Sequence, residues 1–177
     1  MKIVKKHWAI VMLLLISNSS CFREEIPFDA RGLTYRGQFV YDSQFKMNGA
    51  WYHIREDGGV GIRYFFKNGV AFSSGAGNFN VNDIQCWQIP SRLREIPWHW
   101  GFFIVIGDTI KIQTFHPAPQ GWSQRRQVEE WWARIENDTT IYVFKRIFPR
   151  GNTMSHSLRF HFHHCVNKPD STNVLLW

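Results

Sequence analysis

The residues from Leu33 to Tyr41 alternate: Leu33, Tyr35, Phe39 and Tyr41 fall on one side, Thr34, Arg36 and Gln38 on the other. That two-residue period is the signature of a half-buried strand. The next run, WYHIREDGGVGIRYFFKNGVAF, carries Asp57-Gly58 and Asn68-Gly69 between β-rich stretches. Both dipeptides readily adopt the positive φ angles of tight hairpins, so they predict two turns between three strands. GFFIVIGDTIKIQTF repeats the scheme around Gly107-Asp108, with Ile110 and Ile112 opposing Lys111 and Gln113. QVEEWWARIENDTTIYVFKRIF repeats it around Asn137-Asp138, with Trp131, Ala133 and Ile135 on one face and Glu130, Trp132 and Arg134 on the other. HSLRFHFHHC supplies a last strand before the polar VNKPDSTN. No segment keeps a helical period for three turns. The nearest is SRLREI, where Ser91 is a candidate cap and Pro97 a stop. The pattern predicts an all-β protein: an antiparallel up-and-down meander of about 8–9 strands. A sheet of that size closes into a barrel or packs as a sandwich, because either removes exposed edges.

The first twenty residues follow a different rule. Lys2, Lys5 and Lys6 precede nine apolar residues, Trp8 to Ile16, which give way to small polar ones and then Cys21. Nine residues rise only about 14 Å as a helix, roughly half a bilayer core, so a membrane span is not predicted. A cationic start, a short apolar middle and a small-residue exit are the pattern of a secretory signal. Ser19, Ser20 and Cys21 resemble the lipobox of bacterial lipoproteins, with Asn18 where that family usually has an aliphatic residue. The resemblance implies that Cys21 is the lipidated first residue of the mature chain and the point of contact with the membrane. It places the protein in the cell envelope, anchored to the outer membrane and facing the periplasm or the cell surface. The organisation predicted is a signal peptide over 1–20, lipidated Cys21 and a tether over 21–32, one β domain over 33–166, and a polar tail over 167–177.

The strands carry a second resemblance. WYHIREDGGV and the later WGFFIVIGDTIKI hairpin, set among Tyr- and Phe-rich strands, resemble small lipocalin-like lipoproteins of Bacteroidota over roughly residues 33–165. Where true lipocalins have Gly-x-Trp on the first strand, this chain has Gly37-Gln38-Phe39. The resemblance implies a barrel with a ligand cavity.

Charge changes the picture little. Loss of the signal leaves 18 basic residues against 14 acidic ones, so the balance falls from +7 to +4. The remaining cations are scattered as Arg92/Arg94, Arg125/Arg126 and Lys145/Arg146, without the dense stripe that a phosphate backbone requires. Nucleic acid is not an expected partner. With Cys21 lipidated, Cys86 and Cys165 remain, either a disulfide pair outside the cytoplasm or two free thiols.

Motifs for catalysis are missing. The sequence has no Gly-x-Ser-x-Gly elbow, no His-Glu-x-x-His and no phosphate-cradling loop. Glu129 and Glu130 are adjacent and point apart in a strand, so they do not form a glycosidase pair. We expect neither an enzyme nor a cofactor. His161 and His163 share a strand face with Cys165 next in the row, a spacing open to a metal ion. Arg159 begins the same row and opposes a cation, so ordinary wetted histidines are the simpler reading; His164, with Phe160 and Phe162, reads as a core residue.

Aromatic content is the unusual feature. Eight tryptophans follow the signal, most of them fit for a barrel interior. Trp87, Trp98 and Trp100 lie in or beside the long connection from Ser73 to His99, which laid over one end of a barrel would form an aromatic-lined lid, and Trp132 shares its side with Glu130 and Arg134. These four are the candidate ligand-binding residues. Two functions follow: non-catalytic binding of a small apolar or aromatic ligand in the barrel, or an accessory role with a filled core, acting through protein contacts or surface glycan binding.

Overall fold

The computed structural model describes residues 32–39, 45–76, 87–116 and 127–173. Eight antiparallel strands run in chain order: β1 Gly49–Ile54, β2 Val60–Phe65, β3 Val70–Ala76, β4 Trp100–Ile106, β5 Thr109–His116, β6 Gln127–Asn137, β7 Thr140–Ile147 and β8 Thr153–His164. Each pairs with its sequence neighbours, and β8 returns to β1 with Trp51 opposite Phe162, closing the barrel. The sheet has no open edge, which answers the choice between barrel and sandwich. Hairpins form where Asp-Gly and Asn-Gly predicted them, with Gly58 at φ 77° and Gly69 at φ 78°.

The expected first strand, Leu33–Tyr41, does not form in its described part. Residues 34–37 make a turn instead, with Gly37 at φ 72° and the Arg36 amide donating to the Leu33 carbonyl. Tertiary contacts outweigh the alternation. The Thr34 hydroxyl and the Tyr35 amide both donate to Gln113 Oε1 on β5, and the Tyr35 hydroxyl donates to Glu130 on β6 at 2.7 Å. The segment is thus strapped to the outside of the wall, with Leu33 buried. The short helix is present as α1, Ser91–Arg94, but Pro90 is its N-cap residue and Ser91 its first helical position, without a side-chain cap. A 3-10 turn, Pro97–His99, then leads into β4.

Two cores result. Alternate residues of β1–β8 point inward, where Trp51, Phe65, Ala71, Phe103, Ile110, Ile112, Ala133, Ile141, Val143 and Phe160 pack together with Phe45 and Met47 from the segment before β1. The opposite faces of β1–β5 carry Val60, Ile62, Tyr64, Val70, Phe72, Trp100, Phe102 and Phe115, covered by Leu33, Ile89 and Cys165. This explains why β2 is buried at every position: both of its faces are covered. The expected polar tail takes part in that covering. Arg94 binds Asp170 at 2.7 Å, Asn173 is buried, and the Lys168 ammonium donates to the Met47 and Phe65 carbonyls above the Phe66 ring. Burial pushes the Lys168 pKa down to about 8.

Candidate ligand site: a charged end of the barrel interior

The inner core is apolar at only one end of the barrel. That end holds the β2–β3, β4–β5 and β6–β7 turns, and it is filled by Phe39, Phe45, Phe65 and Phe103, whose rings meet at 4.5–6.1 Å. Toward the other end, the inward positions become Arg63 on β2, Ser73 on β3, Thr114 on β5, Glu129 and Trp131 on β6, Arg146 on β7 and His156 on β8.

Glu129 is the hub of this cluster and is only 6% exposed. One of its oxygens accepts from Thr114 Oγ1 at 3.2 Å and Trp131 Nε1 at 2.9 Å; the other accepts from Arg146 Nε at 3.2 Å and Nη2 at 2.5 Å. Arg63 is equally buried, at 6% exposed, and its guanidinium lies 4.8 Å from the ring centres of both Trp131 and Phe160. Arg146 packs on the same Trp131 at 4.4 Å. The His156 ring lies 5.1 Å from Trp131 and the His53 ring 4.5 Å from Phe160. Space for His53 comes from Gly61: a Cβ there would sit 2.0 Å from the imidazole.

The electrostatics are unbalanced. Two guanidiniums share one carboxylate, so the site holds a surplus positive charge in a largely dry place. Burial pushes Arg63 down to about 10, against the pull of Glu129 and with the push of Arg146, and it stays a cation at neutral pH. Burial also lowers His53, helped by Arg63 and Arg55, and lowers His156, helped by Arg146 and Arg63. Four buried side-chain nitrogens have no hydrogen-bond partner among the described residues: His53 Nδ1, Arg63 Nε, Arg63 Nη1 and His156 Nε2. All four belong to this one cluster.

A cavity of about 70 Å³ lies against it, lined by Arg63, Ser73, Thr114, Glu129 and Trp131 together with Ala71, Phe72, Ile112 and Trp98. Trp98 is 48% exposed, so the cavity reaches the surface beside it. The space suits a few ordered waters or a small head group. It is well below the several hundred Å³ of a pocket that encloses a drug-sized molecule.

The sequence-predicted residues are scattered relative to this site. Trp98 lines it. Trp100 is fully buried in the outer core, donating to the Leu93 carbonyl at 3.0 Å, and has no free face. Trp87 is half-buried against Phe72 in the same core. Trp132 sits on the outer wall, its ring beneath Lys111 at 4.1 Å and Lys145 at 4.5 Å and its indole N–H donating to Glu130. His161 and His163 lie on the outer face of β8, and among the described residues no group of three His, Cys, Asp or Glu side chains is placed to hold a metal. His164 is exposed rather than in the core, because β8 ends there and its ring meets the Asn48 side chain at 3.2 Å. Cys165, past the strand end, leaves the histidine row and is buried in the outer core. Cys21, the signal segment and Cys86, hence the proposed disulfide, lie outside the described residues.

Reasoning from sequence missed Arg63, Arg146 and the inward turn of Glu129. For Glu129 a signal existed: it shares the parity of Trp131, Ala133 and Ile135. Among the described residues no helix is long and apolar enough to cross a membrane. Compared with known proteins, the chain matches no family model, no curated protein and no solved structure; what stands is a closed eight-stranded antiparallel barrel with a charged cavity at one end.

Proposed function

We propose that this chain is an exported, lipocalin-like lipoprotein of the cell envelope, tethered by lipid on Cys21, whose barrel binds a small ligand without catalysing a reaction. The observation that carries the reading is the cavity beside Trp98. It combines apolar walls (Ala71, Ile112, Trp131) with buried polar groups, the mixture that small-ligand sites use for grip and orientation. The ligand envisaged is compact, with an apolar or aromatic part lying along Trp98. The localisation rests on the sequence, through the lysine-rich start and the Ser19-Ser20-Cys21 exit.

A second reading has its own support. The other end of the interior is filled by Phe45, Trp51, Phe65 and Phe103, which suits an accessory protein acting through contacts on its outer surface. Glycan stacking on Trp132 is less favoured, because Lys111 and Lys145 already stand over that ring. Native mass spectrometry on the full chain, extracted gently from an export-competent host, separates the two. The binding reading expects a stoichiometric extra mass that leaves on denaturation; bare protein after soaking in small-molecule mixtures would refute it. In the same host, palmitate labelling should vanish in Cys21→Ser, and unchanged labelling would refute the anchor.

A further inference from the structure

We propose that the charged end of the barrel binds the carboxylate of a small organic acid, with Arg63 as its principal partner. This rests on the reading of the barrel as a binding module and names its ligand class.

Three observations converge. The first is donor chemistry. A guanidinium offers five N–H donors and no acceptor, so only an acceptor satisfies it. Arg63 is buried and lines the cavity, and its Nε and Nη1 have no partner among the described residues. Glu129 does not fill the need, since Thr114, Trp131 and Arg146 already donate to its oxygens. The second observation is charge. Arg63, Arg146 and Glu129 sum to one positive charge, which one monoanion neutralises; a phosphate dianion would leave an excess negative charge in the same dry space. The third is size. About 70 Å³ admits a carboxylate with little more than its first carbons. The rest of the acid would leave past Trp98, whose half-exposed ring suits an apolar stem. Planar guanidinium against planar carboxylate is also the geometry that gives the stronger charge-assisted hydrogen bonds.

The test uses the full chain in detergent, with sodium acetate, butyrate and benzoate as probes. Acetamide, butyramide, sodium phosphate and sodium chloride at matched ionic strength are the comparisons. A carboxylate at ten times its Kd should raise the melting temperature by about 3 °C or more, with no shift from the amides or chloride. Arg63→Met should abolish the response. Should that variant fail to fold, the arginine Nε–H signals of the wild-type protein serve instead: one solvent-protected signal should move with carboxylate and stay still with amide. Equal response to acid and amide, a stronger response to phosphate, a response surviving Arg63→Met, or no response to any acid would each overturn the assignment. A neutral molecule retained in the native mass spectrum would overturn it too while leaving the binding barrel standing, so the two failures are distinguishable.

Discussion

Replacing Glu129 with Gln removes the carboxylate that pairs with Arg146 and whose charge also offsets that of the buried Arg63. The side chain keeps its shape, so the change is mainly one of charge and hydrogen bonding. Glu129 accepts four hydrogen bonds, two of them from Arg146. A Gln amide cannot accept at its nitrogen, so one of the paired donor sets must turn away. The Arg146 charge then joins that of Arg63 without compensation, around the shared Trp131 ring. Breaking a buried ion pair by removing one partner costs about 3–5 kcal/mol. The Arg146 side chain is partly open to solvent, at 21% against 7% for that of Glu129, which favours the lower half of that range. With a urea m-value of about 2 kcal/mol/M, the unfolding midpoint should fall by roughly 1.5–2 M. The check is equilibrium urea unfolding of wild type, Glu129→Gln, Arg146→Met and the double variant. The two single changes should cost more in sum than the double, by about 2 kcal/mol, since the double leaves neither charge stranded. A midpoint loss under about 0.3 M for Glu129→Gln, or strict additivity in the cycle, would refute the view that this pair is the electrostatic centre of the barrel.

Other perturbations follow from the same contacts. His53 and His156 are both held below their ordinary pKa, so the unfolded chain takes up protons first as pH falls through about 6.5. Stability should therefore be full above that pH and decline beneath it, and the decline should flatten in His53→Leu/His156→Leu; an unchanged profile of melting temperature against pH would exclude these groups. Phe103→Ala removes a fully buried ring that touches Phe39, Phe45 and Phe65, and should cost about 3–5 kcal/mol in urea unfolding. Trp132→Ala removes an outer ring held by two lysines and Glu130. It should cost no more than about 2 kcal/mol and leave any cavity ligand bound in native mass spectra.

Most of the barrel was legible in the sequence, because its hairpins are marked by local chemistry. Gly58, Gly69 and Gly107 sit at positive φ in the turns where Asp-Gly, Asn-Gly and Gly-Asp stood, and alternation between them gave the strands. Leu33–Tyr41 misled in its described part because Thr34 and Tyr35 bind Gln113 and Glu130 on the barrel wall, a contact made across the fold. The site was hidden for two reasons. Strand β2 is buried on both faces, so alternation could not tell which face Arg63 occupied. On β7, parity counted from Ile141 and Val143 would turn Lys145 inward. A bulge between Val143 and Lys145 shifts the count, setting Arg146 opposite Trp131 and Lys145 opposite Trp132. One extra residue thus moved a cation from the surface into the barrel, and no residue pattern announced it.

Arg63 and Glu129 line the same cavity, yet their removal should have opposite effects on stability. Glu129 is fully satisfied, so losing it strands charge. Arg63 brings little to the fold that an apolar side chain would not. Its two ring contacts are worth about 0.5–2 kcal/mol each, whereas dehydrating an ion without full pairing costs several kcal/mol. Arg63→Met keeps the long stem against Trp131 and Phe160 and leaves Glu129 and Arg146 as a neutral pair. The variant should melt at or above the wild-type temperature while losing any acid it binds. A melting temperature lower by more than about 5 °C would refute this stability argument and show that Arg63 helps to hold the barrel together, and the binding assignment would then rest on the wild-type Nε–H signals alone. If the temperature is kept and binding is lost, then the fold carries a buried cation against its own stability, which is how a group reserved for a ligand behaves.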